Sequence, residues 1–142
     1  MPEHPNATRS RAAFSALWER GELEPSLELL DDDVIWTNDI GARPWAKEIR
    51  GKDRVLEMQA WWMDFFNNSF RHELIDICAS DYHIAQILRE VGEKDGHTFD
   101  NRAVYLFRLN DDGKAVEVRT LDMDRDSIEA FWASVGIPTG VG

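Results

Sequence analysis

Two spacings of apolar residues divide this chain. Up to about residue 66, and again after 124, large apolar side chains recur every three or four positions, as on one face of a helix. Between them the spacing drops to two. In residues 99–109, Phe99, Asn101, Ala103, Tyr105 and Phe107 share one face of a strand. Residues 70–79, 82–92 and 114–124 have the same strand character. Ser80-Asp81, Glu93-Lys94-Asp95-Gly96 and Asn110-Asp111-Asp112-Gly113 are the turns between them, with glycine free to take positive φ.

The helical parts carry their own start and stop signals. Asn6 or Thr8 can cap a first helix with the stripe Ala13, Phe14, Leu17 and Trp18, and Gly21 ends it. A short second helix starts near Pro25 and buries Leu27, Leu29 and Leu30. A third, over 52–66, presents Val55, Met58, Trp62 and Phe65, and Asn67-Asn68-Ser69 terminates it. The last begins near Asp126 with Glu129 completing a capping box; Ile128, Phe131, Trp132 and Val135 form its apolar face, and Gly136 and Pro138 stop it. Residues 34–38 form a strand, and 39–50, with Gly41, Pro44 and Trp45, a loop. The predicted order is helix, helix, strand, helix, four antiparallel strands, helix. That is an α+β layout, with helices on one face of a curved antiparallel sheet and room for a cavity between the layers.

Composition narrows the function. At 142 residues the chain is expected to form a single domain, 1–142. A net charge of -11 argues against nucleic acid and anionic membrane surfaces as partners. No run of apolar residues is long enough to span a bilayer, and the first residues lack the pattern of a signal peptide. One cysteine, Cys78, excludes an internal disulfide and suits a cytoplasmic setting. His4, His72, His83 and His97 have no metal-ligand spacing, and no glycine-rich phosphate loop is present, so neither metal nor cofactor is expected. Six tryptophans and seven phenylalanines exceed what a domain of this length ordinarily carries; they fill a core, line an apolar pocket, or both.

The element order and several strings resemble the nuclear transport factor two-like superfamily, in its SnoaL-like and ketosteroid-isomerase-like branch. The strings are Trp18-Glu19-Arg20-Gly21-Glu22-Leu23, Leu30-Asp31-Asp32-Asp33-Val34-Ile35-Trp36 and Ile49-Arg50-Gly51-Lys52. Residues 105–114, Asp122-Met123-Asp124 and Phe131-Trp132 add to them. The resemblance covers nearly the whole chain. It implies a cone-shaped sheet with helices packed on its concave face around a central pocket, and a homodimer through the outer sheet face. It fixes the fold and not the activity, because this fold hosts many chemistries.

Position by position, the branch's known machineries are incomplete. The steroid-isomerase positions fall on Phe14, Asn38 and Tyr105, none of the isomerase residue type. The epoxide-hydrolase set falls on Gln86, Leu88 and Thr120. The polyketide-cyclase pair falls on Thr120 and Tyr105, with Asp122 two residues further along the same face. If Tyr105 faces the pocket as the resemblance implies, so do Asn101, Trp36, Asn38, Gln86, Leu88, Glu90, Thr120 and Asp122.

Asp122 is then the leading acid/base candidate, because an apolar pocket brings a carboxyl towards its operating pH. Its alternative role is to sit at the positive N-terminus of the last helix. His72 matches a region where dehydratases of the superfamily use a histidine. Tyr105 and Asn38 can hold an oxygen that develops charge. Phe14, Trp36 and Trp62 form ligand wall, with Gln86, Leu88, Glu90, Asn101 and Thr120 as further ligand-binding positions. The expected function is a cofactor-independent cyclase or isomerase of biosynthesis acting on a polyketide-like or polycyclic molecule. It would work by positioning with acid/base or hydrogen-bond assistance, including a pericyclic closure. A non-catalytic small-molecule binder of the same fold is the alternative.

Overall fold

The computed structural model describes residues 2–38, 44–45 and 47–138. Its elements are α1 (Pro5–Arg20), α2 (Glu24–Glu28), β1 (Leu30–Thr37), β2 (Glu48–Arg50), α3 (Lys52–Phe65), β3 (Arg71–Ala79), β4 (His83–Lys94), β5 (His97–Leu109), β6 (Ala115–Asp122) and α4 (Arg125–Val135). The strands form one sheet in the order β2-β1-β6-β5-β4-β3.

From β3 to β6 the sheet is the expected antiparallel meander. Its first strand departs from that expectation: β1 lies parallel to β6, with Trp36 beside Val118, and β2 pairs antiparallel on its outer edge. A helix and four strands separate β1 from β6 in the chain, so no tight turn dictates the direction of β1. The register slips at Ile75 in β3, between Leu30 and Ile35 in β1, and beside Leu109 in β5. Such slips bend and twist a sheet locally, which suits closure into a cone.

Against the concave face, α1 packs on β3 and β4, α3 on β1 and β2, and α4 on β5. The face of α1 turned to the sheet is small: Ala7, Ser10, Ala13 and Ala16 are buried, while Phe14, Leu17 and Trp18 are only partly covered. Close approach by the small residues leaves the large ones facing the interior space. Between α3, α4 and the neighbouring ends of β3 and β5, a set of aromatic rings closes the core. Trp62 lies 5.3 Å from Phe70, Phe66 lies 5.6 Å from Phe131, and Phe99 lies 5.2 Å from Phe131.

Several boundaries differ from expectation for local reasons. Helix α1 starts at Pro5, two to four residues before either expected cap would start it, because the His4 ring accepts the Asn6 N–H at 3.1 Å. Helix α3 ends at Phe65, and Phe66 then turns inward to become the buried residue, while Asn67 and Asn68 take positive φ (52° and 63°). The turn before β5 is two residues, Asp95 (φ 51°) and Gly96 (φ 80°), both left-handed as a tight hairpin requires. Asp124 precedes α4 without a side-chain cap, because its carboxylate is committed to Arg102. Strand β2 and Trp45 lie inside the expected loop; Gly41 falls outside the described residues.

Candidate active site

A cavity of about 730 Å³ lies between the helices and the concave face. That is within the size range of small-molecule pockets. Its wall is mostly apolar and aromatic: Phe14, Leu17 and Trp18 from α1, Trp36 from β1, Met58 and Trp62 from α3. Polar groups enter from the sheet at Asn38, His72, Gln86, Glu90 and Tyr105.

Register assembles the polar groups. Across the ladder, His72 of β3 is paired with Glu90 of β4, and Glu90 with Asn101 of β5. Paired side chains on one face stand about 5 Å apart, so the three form a single row across three strands. Tyr105 sits four residues, two pleat repeats, further along β5, opposite Gln86 and Thr120.

Glu90 is the centre of that row and is only 1% exposed. Its Oε2 accepts the Tyr105 hydroxyl at 2.5 Å and lies 3.3 Å from His72 Nε2. The imidazole is within ion-pair range but off the line of a directed hydrogen bond. Its other oxygen, Oε1, accepts from Asn101 Nδ2 at 2.8 Å. Around His72 the surroundings are aromatic, with ring centroids of Trp18 at 4.7 Å, Phe70 at 5.3 Å and Tyr105 at 5.4 Å.

On the opposite side of the pocket, Asn38 is 3% exposed. Its Oδ1 accepts the Trp36 indole N–H at 3.2 Å, and its Nδ2 rests 3.6 Å from the Met58 sulfur. A thioether is a weak acceptor, and a ligand carbonyl is a better one. Gln86 is held from behind, its Nε2 donating to Ser10 Oγ of α1 at 2.8 Å.

The expected site residues therefore separate into two groups. Phe14, Trp36, Asn38, Trp62, His72, Gln86, Glu90 and Tyr105 line the cavity. Leu88, Asn101 and Thr120, expected to bind ligand, and Asp122, expected to be catalytic, share the inner face but are buried and do not line the cavity. Asp122 reaches the site at one remove: its Oδ1 accepts from Asn101 Nδ2 at 3.0 Å. It lies buried at the end of β6, where the chain turns into α4. Neighbouring Asp124 is a support of that junction. Arg102 donates to it from both its backbone and its guanidinium, which holds the Asp124 carboxyl below the usual aspartate range. Trp18 and Met58 were legible only as core-stripe residues. Ser10 gave no signal at all, being a lone polar residue on the buried side of α1.

A bent sheet wrapped by helices around an apolar cavity, with ionisable groups on the sheet wall, defines the NTF2-like class of small-molecule folds. Residues 11–118 match the SnoaL-like domain, and the chain belongs to that family. No curated protein matches the sequence. Among solved structures, a Xanthomonas campestris protein of unknown function with a cystatin-like fold is 28% identical over 91% of this chain and 98% of its own, with a TM-score of 0.77. TerC, co-crystallised with polyporic acid, is 16% identical over 90% and 98% of the two chains, with a TM-score of 0.72. IdmH of Streptomyces antibioticus, a candidate polyketide cyclase, is 20% identical over 92% and 99%, with a TM-score of 0.68. At these identities the last two speak for the fold alone. Among the described residues no helix is long and apolar enough to cross a membrane.

Proposed function

We propose that this protein is a cofactor-independent cyclase or isomerase acting on a polyketide-like or polycyclic carbonyl compound. One observation carries the reading: a buried carboxyl, Glu90, meets an imidazole at 3.3 Å and a phenol at 2.5 Å on the wall of a largely apolar cavity. IdmH, a candidate polyketide cyclase, and TerC, co-crystallised with polyporic acid, share this fold, and the choice of ligand class follows their example.

In this reading His72 moves the proton and Glu90 orients it. Both Glu90 oxygens are already committed to protein donors, so the carboxylate serves best as the fixed counter-charge of an imidazolium. The substrate gives a proton from a carbon beside its carbonyl to His72, and the same proton returns at the new position. Asn38 donates from Nδ2 to the carbonyl oxygen and stabilises the developing enolate. The aromatic wall folds the substrate into reacting geometry. Asp122, the sequence's leading acid/base candidate, is reassigned to support. The protein is further proposed to form a homodimer through its outer sheet face.

The test is a panel of polycyclic ketones, linear polyenes and anthraquinone-like compounds, followed by tryptophan quenching together with product mass and retention. Turnover that falls at least about a hundredfold in His72→Gln and Glu90→Gln supports acid/base chemistry. Turnover that survives both variants assigns catalysis to shape, as in a pericyclic closure. Quenching without product from any compound favours the non-catalytic binder.

A further inference from the structure

Behind the cavity wall lies a polar connection that the proposed chemistry does not itself use. Asn101 is fully buried. Its Oδ1 accepts the backbone N–H of Asp124 at 3.2 Å, which settles the orientation of its amide. The NH2 group must therefore face the other way, and both its hydrogens go to carboxylates: Glu90 Oε1 at 2.8 Å and Asp122 Oδ1 at 3.0 Å. Asp124 is itself fixed, since the Arg102 guanidinium grips its carboxylate at 2.7 Å and 2.9 Å and the Arg102 N–H donates to the same group. The support runs from the β6–α4 junction, through one amide, to the oxygen of Glu90 that faces away from His72.

We propose that Asn101 is a positioning residue that holds the Glu90 carboxylate at the angle where Tyr105 and His72 meet it, and that Asp122 acts on Glu90 through Asn101. A carboxylate pinned at one oxygen by a rigid donor keeps its second oxygen in place. Without that donor it turns about its last two torsions, and the Tyr105 and His72 contacts are lost together. Asp122 stiffens the amide by taking its second hydrogen. This inference rests on the acid/base reading only for its effect on turnover; the geometric claim stands or falls without a substrate.

The chain has two tyrosines, Tyr82 and Tyr105, which makes a direct readout practicable. Tyr82 is exposed at 51% and bonded to Asp111. Protein labelled with 3-fluorotyrosine gives two fluorine resonances, and Tyr82→Phe assigns them. Glu90→Gln calibrates the Tyr105 line for a disturbed hydrogen bond. Asn101→Leu is expected to move that line as far as Glu90→Gln does, and Asp122→Asn to move it less. In the Asn101→Leu background, Asp122→Asn should add nothing. Asn101→Ser, which cannot bridge both carboxylates, serves if the leucine variant fails to fold, with the same expectation.

A Tyr105 line unmoved by Asn101→Leu or Asn101→Ser, while Glu90→Gln moves it, overturns the proposal. So does an Asp122→Asn shift of equal size in both backgrounds, or no response to Glu90→Gln itself. With a turned-over substrate, Asn101→Ser should lower kcat about tenfold or more and leave KM unchanged. If no substrate is found but the fluorine cycle behaves as expected, positioning holds and the enzyme reading alone fails.

Discussion

Gly92→Ala should destabilise this protein, although the same change in an ordinary strand is favourable. Gly92 lies in β4 opposite Phe99, with ordinary backbone angles. Replacing such a glycine normally stabilises by about 0.4–1 kcal/mol, because the unfolded chain loses freedom. Here a Cβ would stand 2.8 Å from Phe66 Cδ1, 3.1 Å from Cγ and 3.2 Å from Cε1. Phe66 cannot retreat: it is wholly buried, with Phe70 at 5.2 Å, Phe131 at 5.6 Å and Phe99 at 5.7 Å between ring centres. Overpacking of a filled core costs roughly 1–3 kcal/mol. Because the contact at 2.8 Å is with a ring that has no room to move, the upper part of that range applies, and after the entropic gain a net loss of about 1–2 kcal/mol remains. Urea denaturation measures it: with a slope of about 2 kcal/mol per molar, the midpoint should fall by about 0.5–1 M at unchanged slope. Phe66→Leu in the Gly92→Ala background should cost less than in the wild type, because it makes room for the added methyl. An unchanged or raised midpoint in Gly92→Ala would refute the argument that Phe66 is immobile.

The other predictions concern charge and surface. Asp100 and Asp124 are held below the usual aspartate range, Asp100 by the Arg89 guanidinium and Asp124 by that of Arg102. Their folded values are depressed, so the stability they give is complete above the unfolded value of about 4 and is lost as pH falls through the folded values. Urea midpoints should therefore drop below about pH 4, and less steeply in a variant carrying Arg89→Gln with Arg102→Gln. With the Glu90 carboxylate on the wall, neutral 2-acetylnaphthalene should bind at least about tenfold tighter than 2-naphthoate, by tryptophan quenching, and Glu90→Gln should narrow the gap; equal affinities would deny that Glu90 charges the cavity. On the outer sheet face, Leu121 and Met123 are exposed at 45% and 51%. Light scattering at tens of micromolar should give a dimer, and Leu121→Lys a monomer; a monomeric wild type would remove the proposed interface.

Much of the architecture was legible because it follows from spacing. The inward face of β5 alternates as its sequence does, and the apolar stripe of α4 is the buried one. The direction of β1 was not legible, since parallel and antiparallel edges offer the same alternation. Nor was the depth of Asp122. Period two states which face a residue occupies, but not whether ligand space or packed core lies over that face. Asp122 and Tyr105 share a face, and only Tyr105 borders the cavity. Glu90 was legible only as one ligand-binding position among several, because a carboxylate inside a sheet core is ordinarily expensive; its partners on two neighbouring strands are what make it tolerable.

Those partners depend on turn length to the residue. A hairpin mirrors its strands about the centre of its turn. The expected four-residue turn at 93–96 would have placed Phe99 opposite Glu90, leaving the carboxyl facing a ring. The two-residue turn at Asp95 and Gly96 places Asn101 there instead. At the preceding hairpin, a two-residue turn at Ser80-Asp81 would have mirrored His72 onto Arg89, whose side chain lies on the outer face in an ion pair with Asp100. The longer connection, with the extra residue at Ile75, brings His72 onto Glu90. Because a slip of one residue sends a strand's side chains to the opposite face, the row His72, Glu90, Asn101 exists in this register and in no neighbouring one. Its members stand 18 and 11 positions apart and form no motif, and the bulge in β3 is as much a part of the site as the residues that carry the chemistry.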